Sequence, residues 1–362
     1  MKKILTVVGA RPQLIKSKPL SELFKREKGY CEVFVHTGQH YDYQMSQVFF
    51  EELSLPQPDY FLNVSGGDNL TQVKRMVKKI NSVIAKECPD LVLVYGDTNS
   101  TLAGALAAKC NNLPLAHVEA GVRSFNMGMA EEINRVIVDK LADLLFLPVK
   151  EAISNLRKEG INKNVYLVGD VLYELVVKFK PQLKSTFRTL AKEYSLRRGE
   201  YCLVTIHRAE LVENKKYLSA VLKVISKVPY PIVFPIHPRT KKKIRQFGLQ
   251  KLLSGVICLE PQSYLKSLSL IKNARSVITD SGGVQREAYF LKTPCVTLRN
   301  QTEWPQTFLA GWNVLVPVHF LSLKKLADII VGRLRPKKMP VCFCQRKVSN
   351  LIFKIIDKFL FN

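Results

Sequence analysis

Short runs of apolar residues alternate along the chain with longer stretches whose apolar positions recur every three or four residues. The short runs predict buried parallel strands, and the longer stretches predict amphipathic helices that pack on a sheet. The predicted strands are 3–8, 32–36, 91–95, 115–118 and 165–168, and then 202–206, 232–235, 256–259, 276–278 and 294–298. The predicted helices are 12–28, one containing Phe49, Phe50 and Leu53, 70–86, 98–109 and 132–144, and then 216–227, 240–246, 264–271 and 284–291.

This alternation predicts an α/β protein with two doubly wound, Rossmann-like domains. A chain of 362 residues suits two domains of roughly 150 to 200 residues each. We expect a first domain over 1–170, a second over 171–345, and a final helix over 346–362 that packs back on the first. The two domains are expected to face each other across a cleft, since ligands of such sheets bind at the carboxyl ends of the strands.

Polar residues follow six of the predicted strands, at the ends where ligands bind. They are Arg11 with Lys16, Asp97, Glu119, His207 with Arg208, His237, and Asp280 with Ser281, Gly282 and Gly283. One polar residue at such a place is more often a helix cap than a functional group. Six polar strand ends together are hard to explain structurally and indicate a ligand site.

The turn from Asp280 to Gly283 joins a predicted strand to a predicted helix. The free N–H groups at a helix start and its positive dipole end favour phosphate, and Ser281 adds a hydroxyl donor. Glu287 lies about one turn into that helix, where a carboxylate can accept hydrogen bonds from two sugar hydroxyls. Alone, the turn is more often structural, and the other polar strand ends shift the interpretation to a phosphate site.

The candidate chemistry divides between the two domains. The first supplies the carboxylates Asp97, Glu119 and Glu131, and the second supplies phosphate donors and His207. Carboxylates opposite a phosphate-binding surface suit proton transfer on a phosphate-bearing ligand. The sequence has no Gly-x-Gly-x-x-Gly motif and no lysine-bearing phosphate loop, so it indicates neither a dinucleotide cofactor nor a triphosphate.

The chain carries 55 basic and 30 acidic residues, a net charge of +25. Basic clusters at 241–245 and 333–338 could attract nucleic acid, anionic lipid or a polyanionic substrate. They lack interleaved aromatic residues and any nucleic-acid motif, so we expect a solvated basic surface and no specific nucleic-acid binding. Contact with an anionic membrane surface stays open as an alternative.

Eight scattered cysteines indicate buried thiols of a cytosolic protein, and Cys342 and Cys344 form a poor metal site without nearby partners. The sequence therefore predicts no metal. Its start does not resemble a signal peptide, and no run of about 18 apolar residues predicts a membrane span. A cytoplasmic location is expected.

Seven segments, in this order, resemble the non-hydrolysing UDP-N-acetylglucosamine 2-epimerases, whose two Rossmann-like domains form the glycosyltransferase-B architecture. The segments are GARPQ at 9–13, TGQH at 37–40, YGDT at 95–98, HVEAGVRS at 117–124, EEINR at 131–135, TIHRAE at 205–210 and TDSGGVQ at 279–285. The resemblance covers 3–316. Seven motifs in register are far more specific than any one of them.

The resemblance implies inversion at C2 of a UDP-linked 2-acetamido sugar without a redox cofactor, for surface polysaccharide precursors, by a homodimer. UDP leaves as the C2 proton is removed, and UDP and a proton then return to the unsaturated sugar. By the same resemblance, Asp97, Glu119 and Glu131 are the acid/base candidates, with no order of action assigned. The other implied site residues are His207, Arg11 and Lys16 for the charge of departing UDP, Ser281, Gly282 and Gly283 for the phosphates, Glu287 for the ribose, and Arg123, Arg135, Arg208, His237 and Gln262 for substrate binding.

Several positions depart from the family pattern. Gln13 stands where many members have Glu, Ala130 where Pro is usual, and Trp304 where UDP-N-acetylglucosamine enzymes often carry Arg. With the insert at 41–46, these features look more like the branch that acts on UDP-2,3-diacetamido-2,3-dideoxyglucuronate. The family's Gly-rich segment before the last helix is replaced by 343–349.

Three other functions stay open on the sequence. A UDP-sugar glycosyltransferase of the same architecture would need an acceptor site, whereas three carboxylates favour proton chemistry. A nucleic-acid or anionic-membrane binder is suggested by the charge. A hydrolysing epimerase would release free sugar, and the Arg11–Gln13 motif argues against it.

Overall fold

The computed structural model describes residues 1–39, 55, 57–320, 326, 328–329 and 347–361. The chain divides into a first unit, Met1–Leu175 with Val341–Asn362, and a second unit, Val176–Pro340. The predicted helix with Phe49 and Leu53, the insert at 41–46 and most of the segment 343–349 lie outside the described residues.

The first unit is built on a seven-stranded parallel sheet with the order β3-β2-β1-β4-β5-β6-β7. Its strands are β1 Lys2–Val8, β2 Tyr30–His36, β3 Tyr60–Phe61, β4 Leu91–Tyr95, β5 Leu115–Val118, β6 Leu144–Leu147 and β7 Val165–Leu167. Its helices before the unit boundary are α1 Arg11–Arg26, α2 Asn69–Glu87, α3 Asn99–Cys110, α4 Ala130–Leu141 and α5 Glu151–Lys158, and α6 Val171–Phe179 contains the boundary.

The second unit repeats the design with a six-stranded parallel sheet of order β10-β9-β8-β11-β12-β13. Its strands are β8 Cys202–Thr205, β9 Ile232–Pro235, β10 Val256–Leu259, β11 Ser276–Thr279, β12 Cys295–Thr297 and β13 Asn313–Leu315. Its helices are α7 Leu183–Tyr194, α8 Ala209–Val212, α9 Lys215–Ile225, α10 Pro238–Gln246, α11 Tyr264–Asn273, α12 Gly282–Phe290 and α13 Pro305–Leu309, with short 3₁₀ turns at Lys180–Gln182, Gln250–Leu253 and Val318–Phe320.

Local sequence explains where several of these elements begin. All five residues of β4 are buried, as expected of a central parallel strand covered on both faces. Asp68 caps α2 by accepting a hydrogen bond from Thr71 N at 3.0 Å, and Thr98 caps α3. Such caps satisfy N–H groups that have no partner within the helix.

The expectation of two doubly wound α/β domains is confirmed, with differences in single elements. Helix α4 was predicted to reach Leu144, but it ends at Leu141 and Leu144–Leu147 forms strand β6. The apolar residues run on from helix to strand, so periodicity alone could not separate them. Strands β3 and β13, of two and three residues, and helix α5 were not predicted.

The C-terminal helix, α14 Val348–Phe361, packs on α1 and β2 of the first unit. The Phe353 ring lies 5.7 Å from that of Phe24 and 4.9 Å from that of Tyr30, centroid to centroid. Tyr30 also donates a hydrogen bond to Asp357 at 2.7 Å. Among the described residues, no helix is long and apolar enough to cross a membrane.

Candidate active site

In each unit, several candidate residues follow the two strands at which the strand order changes direction, and the others follow neighbouring strands of the same sheet. In the first unit these strands are β1 and β4, and in the second they are β8 and β11. Connections leave such a pair of strands toward opposite sides, which opens a crevice at their carboxyl ends. Each unit therefore presents its polar strand ends at the place where doubly wound sheets bind ligands.

Lys16 and Glu119 form a buried ion pair at this edge of the first unit. Lys16 Nζ lies 2.8 Å from both carboxylate oxygens, and the side chains are 7% and 9% exposed. Glu119 adopts φ 77°, in the left-handed region, which side chains rarely occupy and which occurs often at functional sites. A Cβ on Gly96, with φ 65°, would lie 3.4 Å from Lys16 Nζ, so the loop after β4 approaches the pair closely.

Asp97 is held beside this pair by helix α4. Arg135 donates to the Asp97 carboxylate through one nitrogen and to Glu132 at 2.5 Å through another. Asn134 donates to the Asp97 carbonyl at 3.0 Å. Glu131 lies in the first turn of α4 and is half-buried. The first unit thus gathers the predicted carboxylates around helix α4 and the ends of β4 and β5.

The Gln13 amide links the loops after β1 and β4 by hydrogen bonds, a role that the sequence did not predict. Its Oε1 accepts from Gly9 N at 2.9 Å and Ala10 N at 3.1 Å. Its Nε2 donates at 2.9 Å to both the Tyr95 carbonyl and Thr101 Oγ1. An ionised carboxylate could not make the two donor contacts, so an amide suits the partners at this position.

His117 and Asp139 form a buried pair beneath Glu119 that the sequence reasoning missed. His117 Nδ1 lies 2.7 Å from Asp139, and Nε2 lies 2.7 Å from the Gly96 carbonyl. The two ring nitrogens thus face a carboxylate and a backbone carbonyl. Burial alone would raise the pKa of Asp139, but His117, Arg123 and the Gly121 N–H hold it below its usual value. His117 therefore links β5, which precedes Glu119, to Gly96 in the loop that carries Asp97.

Arg123, predicted to bind substrate, is directed toward protein groups. Its guanidinium lies 2.7 Å from the Asp139 carboxylate and donates two hydrogen bonds of 2.7 Å to the Glu159 carboxylate. Burial tends to lower the pKa of Arg123, and the two carboxylates more than offset this and raise it. A substrate contact would require one of these bonds to be exchanged, so its role stays a prediction.

In the second unit, Asp280 organises the loops after β8 and β11. Its buried carboxylate accepts from the backbone N–H groups of His207 at 2.9 Å and Arg208 at 2.8 Å. Its other oxygen lies 3.4 Å from His207 Nδ1. The His207 side chain is 38% exposed. Asp280 therefore fixes the backbone of a histidine whose ring reaches solvent.

The predicted phosphate site is the start of α12. Ser281 caps the helix by accepting from Val284 N at 3.4 Å, and the helix begins with Gly282 and Gly283. Among the residues that the structure describes, a Cβ on Gly283 would meet only Ser281 Oγ, at 3.8 Å, so these residues leave the surface above the helix start open. Glu287 is buried on the same helix. The strand, turn and helix start on which the phosphate expectation depends are therefore present, and phosphate binding itself stays a prediction.

Two further predicted residues lie on neighbouring loops of the second unit. The His237 ring lies 5.5 Å from that of His207, and His237 Nδ1 caps α10 by accepting from Arg239 N at 3.2 Å. Gln262 Nε2 donates to the Glu260 carbonyl at 2.8 Å, and its buried Oε1 has no hydrogen-bond partner among the described residues.

In the first unit, the predicted residue Arg11 is the first residue of α1 and is half-buried.

A buried network that the sequence analysis did not predict fixes the segment beside α12. Gln285 Oε1 accepts from Thr302 and Asn313, both at 3.0 Å. The Arg286 guanidinium lies 3.8 Å from the centre of the Trp304 ring. A Cβ on Gly282 would lie 3.7 Å from Trp304 Nε1, so the indole borders the helix start. Residue types alone could not reveal contacts between positions this far apart in the chain.

Two doubly wound units, each built on a parallel sheet, place the chain in the class of proteins with the glycosyltransferase-B fold, and comparisons with known proteins narrow that class. The model of the UDP-N-acetylglucosamine 2-epimerase family matches residues 22–357. The chain is 48% identical over 318 residues to a UDP-N-acetylglucosamine 2-epimerase homolog of Methanococcus maripaludis, with 87% of this chain and 88% of that protein covered. It is 44% identical over 320 residues to the UDP-2,3-diacetamido-2,3-dideoxy-D-glucuronate 2-epimerase of Pseudomonas aeruginosa, with the same shares covered.

A solved structure agrees with these relatives. The UDP-N-acetylglucosamine 2-epimerase of Methanocaldococcus jannaschii, in complex with UDP-N-acetylglucosamine and UDP, matches with a TM-score of 0.90 and 38% identity over 99% of each chain. The chain therefore belongs to the UDP-N-acetylglucosamine 2-epimerase family and is an isomerase. The resemblance drawn from the seven sequence motifs is confirmed.

Within the described part of the chain, no group of three or more histidine, cysteine or carboxylate residues is placed to hold a metal ion.

Proposed function

We propose that the protein inverts C2 of UDP-N-acetylglucosamine by eliminating UDP and adding it back to the other face of the sugar. The observation that carries this proposal is the buried Lys16–Glu119 pair, which the loop bearing Asp97 approaches closely at Gly96. The C2 proton is weakly acidic, so its removal needs a base on one face and its return needs an acid on the other. Carboxylates at the ends of β4 and β5 and on α4 supply several such groups.

The proposed steps conserve atoms and charge. A carboxylate takes the proton from C2 as the bond from C1 to the UDP oxygen breaks, leaving UDP and a sugar with a double bond between C1 and C2. A proton then adds to C2 from the opposite face as UDP returns to C1. We assign Glu119, Asp97 and Glu131 to these proton transfers, without an order. Lys16 supports Glu119 in its charged form because it lies 2.8 Å away.

We assign the second unit to the nucleotide. Ser281, Gly282 and Gly283 offer N–H and hydroxyl donors to the diphosphate, and Glu287 is the ribose acceptor. His207, held by Asp280, offsets the charge that develops on the departing UDP oxygen. Arg11, Arg135, Arg208, His237 and Gln262 are assigned to further substrate contacts.

UDP-2,3-diacetamido-2,3-dideoxyglucuronate is the second candidate substrate. It is favoured by Trp304 beside the helix start, where other family members often carry Arg, and by the 44% identity to the Pseudomonas aeruginosa enzyme. The strong positive charge of the chain also suits an acidic sugar.

Incubation of the protein with each UDP-sugar, followed by ¹H NMR and nucleotide chromatography, tests the proposal. We expect an epimer at equilibrium with its substrate and no net release of UDP. Steady accumulation of UDP with free sugar or a glycosylated acceptor would instead identify a hydrolase or a transferase. Glu119→Gln should slow the reaction by more than a hundredfold, whereas the exposed Glu151→Gln on α5 should leave the rate unchanged.

We further propose that the protein works as a homodimer. The first unit exposes Phe125, Met127 and Ile133, at 71%, 59% and 40% of their surface, and exposed apolar groups commonly mark contact surfaces. Light scattering coupled to gel filtration would give the mass of a dimer, and a mass of about 41 kDa would refute this. The cytoplasmic location expected from the sequence stays a prediction.

A further inference from the structure

The positive charge of the chain is concentrated in one of its two units. The second unit holds 30 of the 55 lysine and arginine residues but only 9 of the 30 aspartate and glutamate residues, a net charge of +21. The first unit holds the remaining 25 basic and 21 acidic residues, a net charge of +4. The excess charge therefore belongs to the unit that carries the proposed diphosphate cradle.

Helix α10 brings part of this charge to the candidate site. Its sequence, Pro238–Gln246, has five basic residues and no acidic one. His237, which caps the helix, lies with its ring 5.5 Å from that of His207. Thr240, in the first turn, donates to the Ile206 carbonyl at 2.6 Å. The amino end of this basic helix is thus fixed against the loop that holds His207.

The basic side chains of α10 differ in how they are engaged. Lys241 is paired with Glu260, and Lys243 lies 5.7 Å from the Phe247 ring centre. Arg239 is exposed in the first turn. Farther along, Lys242 and Arg245 are exposed and lie three positions apart, on one side of the helix. At 1.5 Å of rise per residue they are about 6 and 10 Å along the axis from Pro238. Since the amino end of this helix lies against the loop that holds His207, their charges are not fully screened at that loop at low salt, where the Debye length is about 30 Å at 0.01 M.

We propose that the exposed basic face of α10, formed by Lys242 and Arg245, attracts the nucleoside diphosphate part of the substrate toward the start of α12. This proposal rests on the proposed function, since the attracted ligand is a UDP-sugar. The face acts through its field and makes no contact with the bound nucleotide. A positive field along the approach to an anion site raises the local concentration of the ligand and its rate of association.

A matched pair of double charge reversals separates this local field from the general charge of the protein. Lys242→Glu with Arg245→Glu alters α10. Arg188→Glu with Lys192→Glu makes the same change of charge with the same residue types on exposed positions of α7. Phe187 of α7 stacks at 6.2 Å on Tyr201, which precedes β8, so this control surface lies at the opposite, amino-terminal edge of the sheet.

The binding of UDP by calorimetry, at 20 mM and at 500 mM NaCl, tests the proposal. At 20 mM we expect the α10 variant to bind UDP about tenfold more weakly than the unmodified protein, because four units of charge change within about a Debye length of a diphosphate. At 500 mM the loss should fall below about twofold. The α7 variant should stay within about twofold at both salt concentrations.

Other outcomes would overturn the proposal in distinguishable ways. Equal losses in the two variants would mean that only the net charge matters. A tenfold loss that persists at 500 mM NaCl would mean direct contact or structural damage. Unchanged UDP binding with lost binding to anionic vesicles would assign the face to a membrane surface. If the unmodified protein failed to bind UDP at all, the proposed function would fail as well.

Discussion

Glu32 provides a direct test of the electrostatics of the first unit. It lies on β2, and its carboxylate accepts hydrogen bonds from Thr6 at 2.6 Å and Ser21 at 3.0 Å. The residue as a whole is only half-buried, but its carboxyl group is removed from water. This desolvation raises its pKa from 4.5 to about 7, and the nearby charge of Asp59 acts in the same direction.

The folded state therefore binds the Glu32 proton more tightly than the unfolded state does. Below pH 4.5 the Glu32 carboxyl is protonated in both the folded and the unfolded state. The stability that the neutral carboxyl gives the folded state, compared with the charged form, is then fully present. As the pH rises through 7 that effect is lost, because the charged form is solvated better in the unfolded chain. The difference between pKa values of 4.5 and 7 corresponds to about 3 kcal/mol at alkaline pH.

Replacing Glu32 with Gln should remove this pH dependence. A Gln Oε1 can still accept from Thr6 and Ser21 and carries no charge. We expect Glu32→Gln to stabilise the protein relative to the parent by about 3 kcal/mol more at pH 8.5 than at pH 4.5. Urea unfolding, followed by far-ultraviolet circular dichroism at both pH values, measures the difference.

The control is Glu27→Gln, whose parent side chain is 40% exposed and pairs with its neighbour Arg26. This variant should show no comparable difference between the two pH values. If the free energies of unfolding of Glu32→Gln and the parent differed by the same amount at pH 4.5 and pH 8.5, the claim that desolvation raises the pKa of Glu32 would be wrong.

Two further changes test the packing around the candidate site. Lys16→Met removes the buried cation that lies 2.8 Å from Glu119, so we expect a loss of about 3 to 5 kcal/mol in urea unfolding. Adding Glu119→Gln should recover most of it, and failure to recover would show that the Glu119 charge is not the cause. Gly121→Ala places a Cβ 2.9 Å from the Ala152 carbonyl oxygen at φ 75°, whereas a Cβ in Gly160→Ala, at φ 80°, meets no described residue within 4 Å. Backbone strain should destabilise both variants by about 1 to 2 kcal/mol. The clash should destabilise Gly121→Ala by at least about 1 kcal/mol more. Thermal unfolding measures the difference, and equal melting temperatures of the two variants would contradict this contact.

Much of the fold was predictable from the sequence because buried parallel strands are short, apolar and separated by helices. Strand β4, Leu91–Tyr95, was placed correctly to the residue. Strand β6 was missed because its apolar residues continue the pattern of α4. A strand of three residues such as β13, Asn313–Leu315, carries too few alternating positions to be detected.

The candidate site was predictable where its residues directly follow a predicted strand. Asp97 and Glu119 could be named because each follows an apolar run, at the edge where ligands of such sheets bind. The contact of His117 with Asp139 could not be predicted, since it joins side chains 22 positions apart. The amide role of Gln13 also depends on a contact with Tyr95, 82 positions away. Side-chain networks of this kind follow from packing and are not encoded in local spacing.

Exchange of the C2 proton tests the central claim most directly. The protein is incubated in deuterated water with UDP-N-acetylglucosamine, and separately with UDP-2,3-diacetamido-2,3-dideoxyglucuronate, and C2 is followed by NMR. Removal and return of the C2 proton by carboxylates predicts deuterium at C2 of intact UDP-sugar in at least one reaction, and predicts its loss in Glu119→Gln. Epimer formation with hydrogen retained at C2, or no exchange in either sugar, would contradict the account.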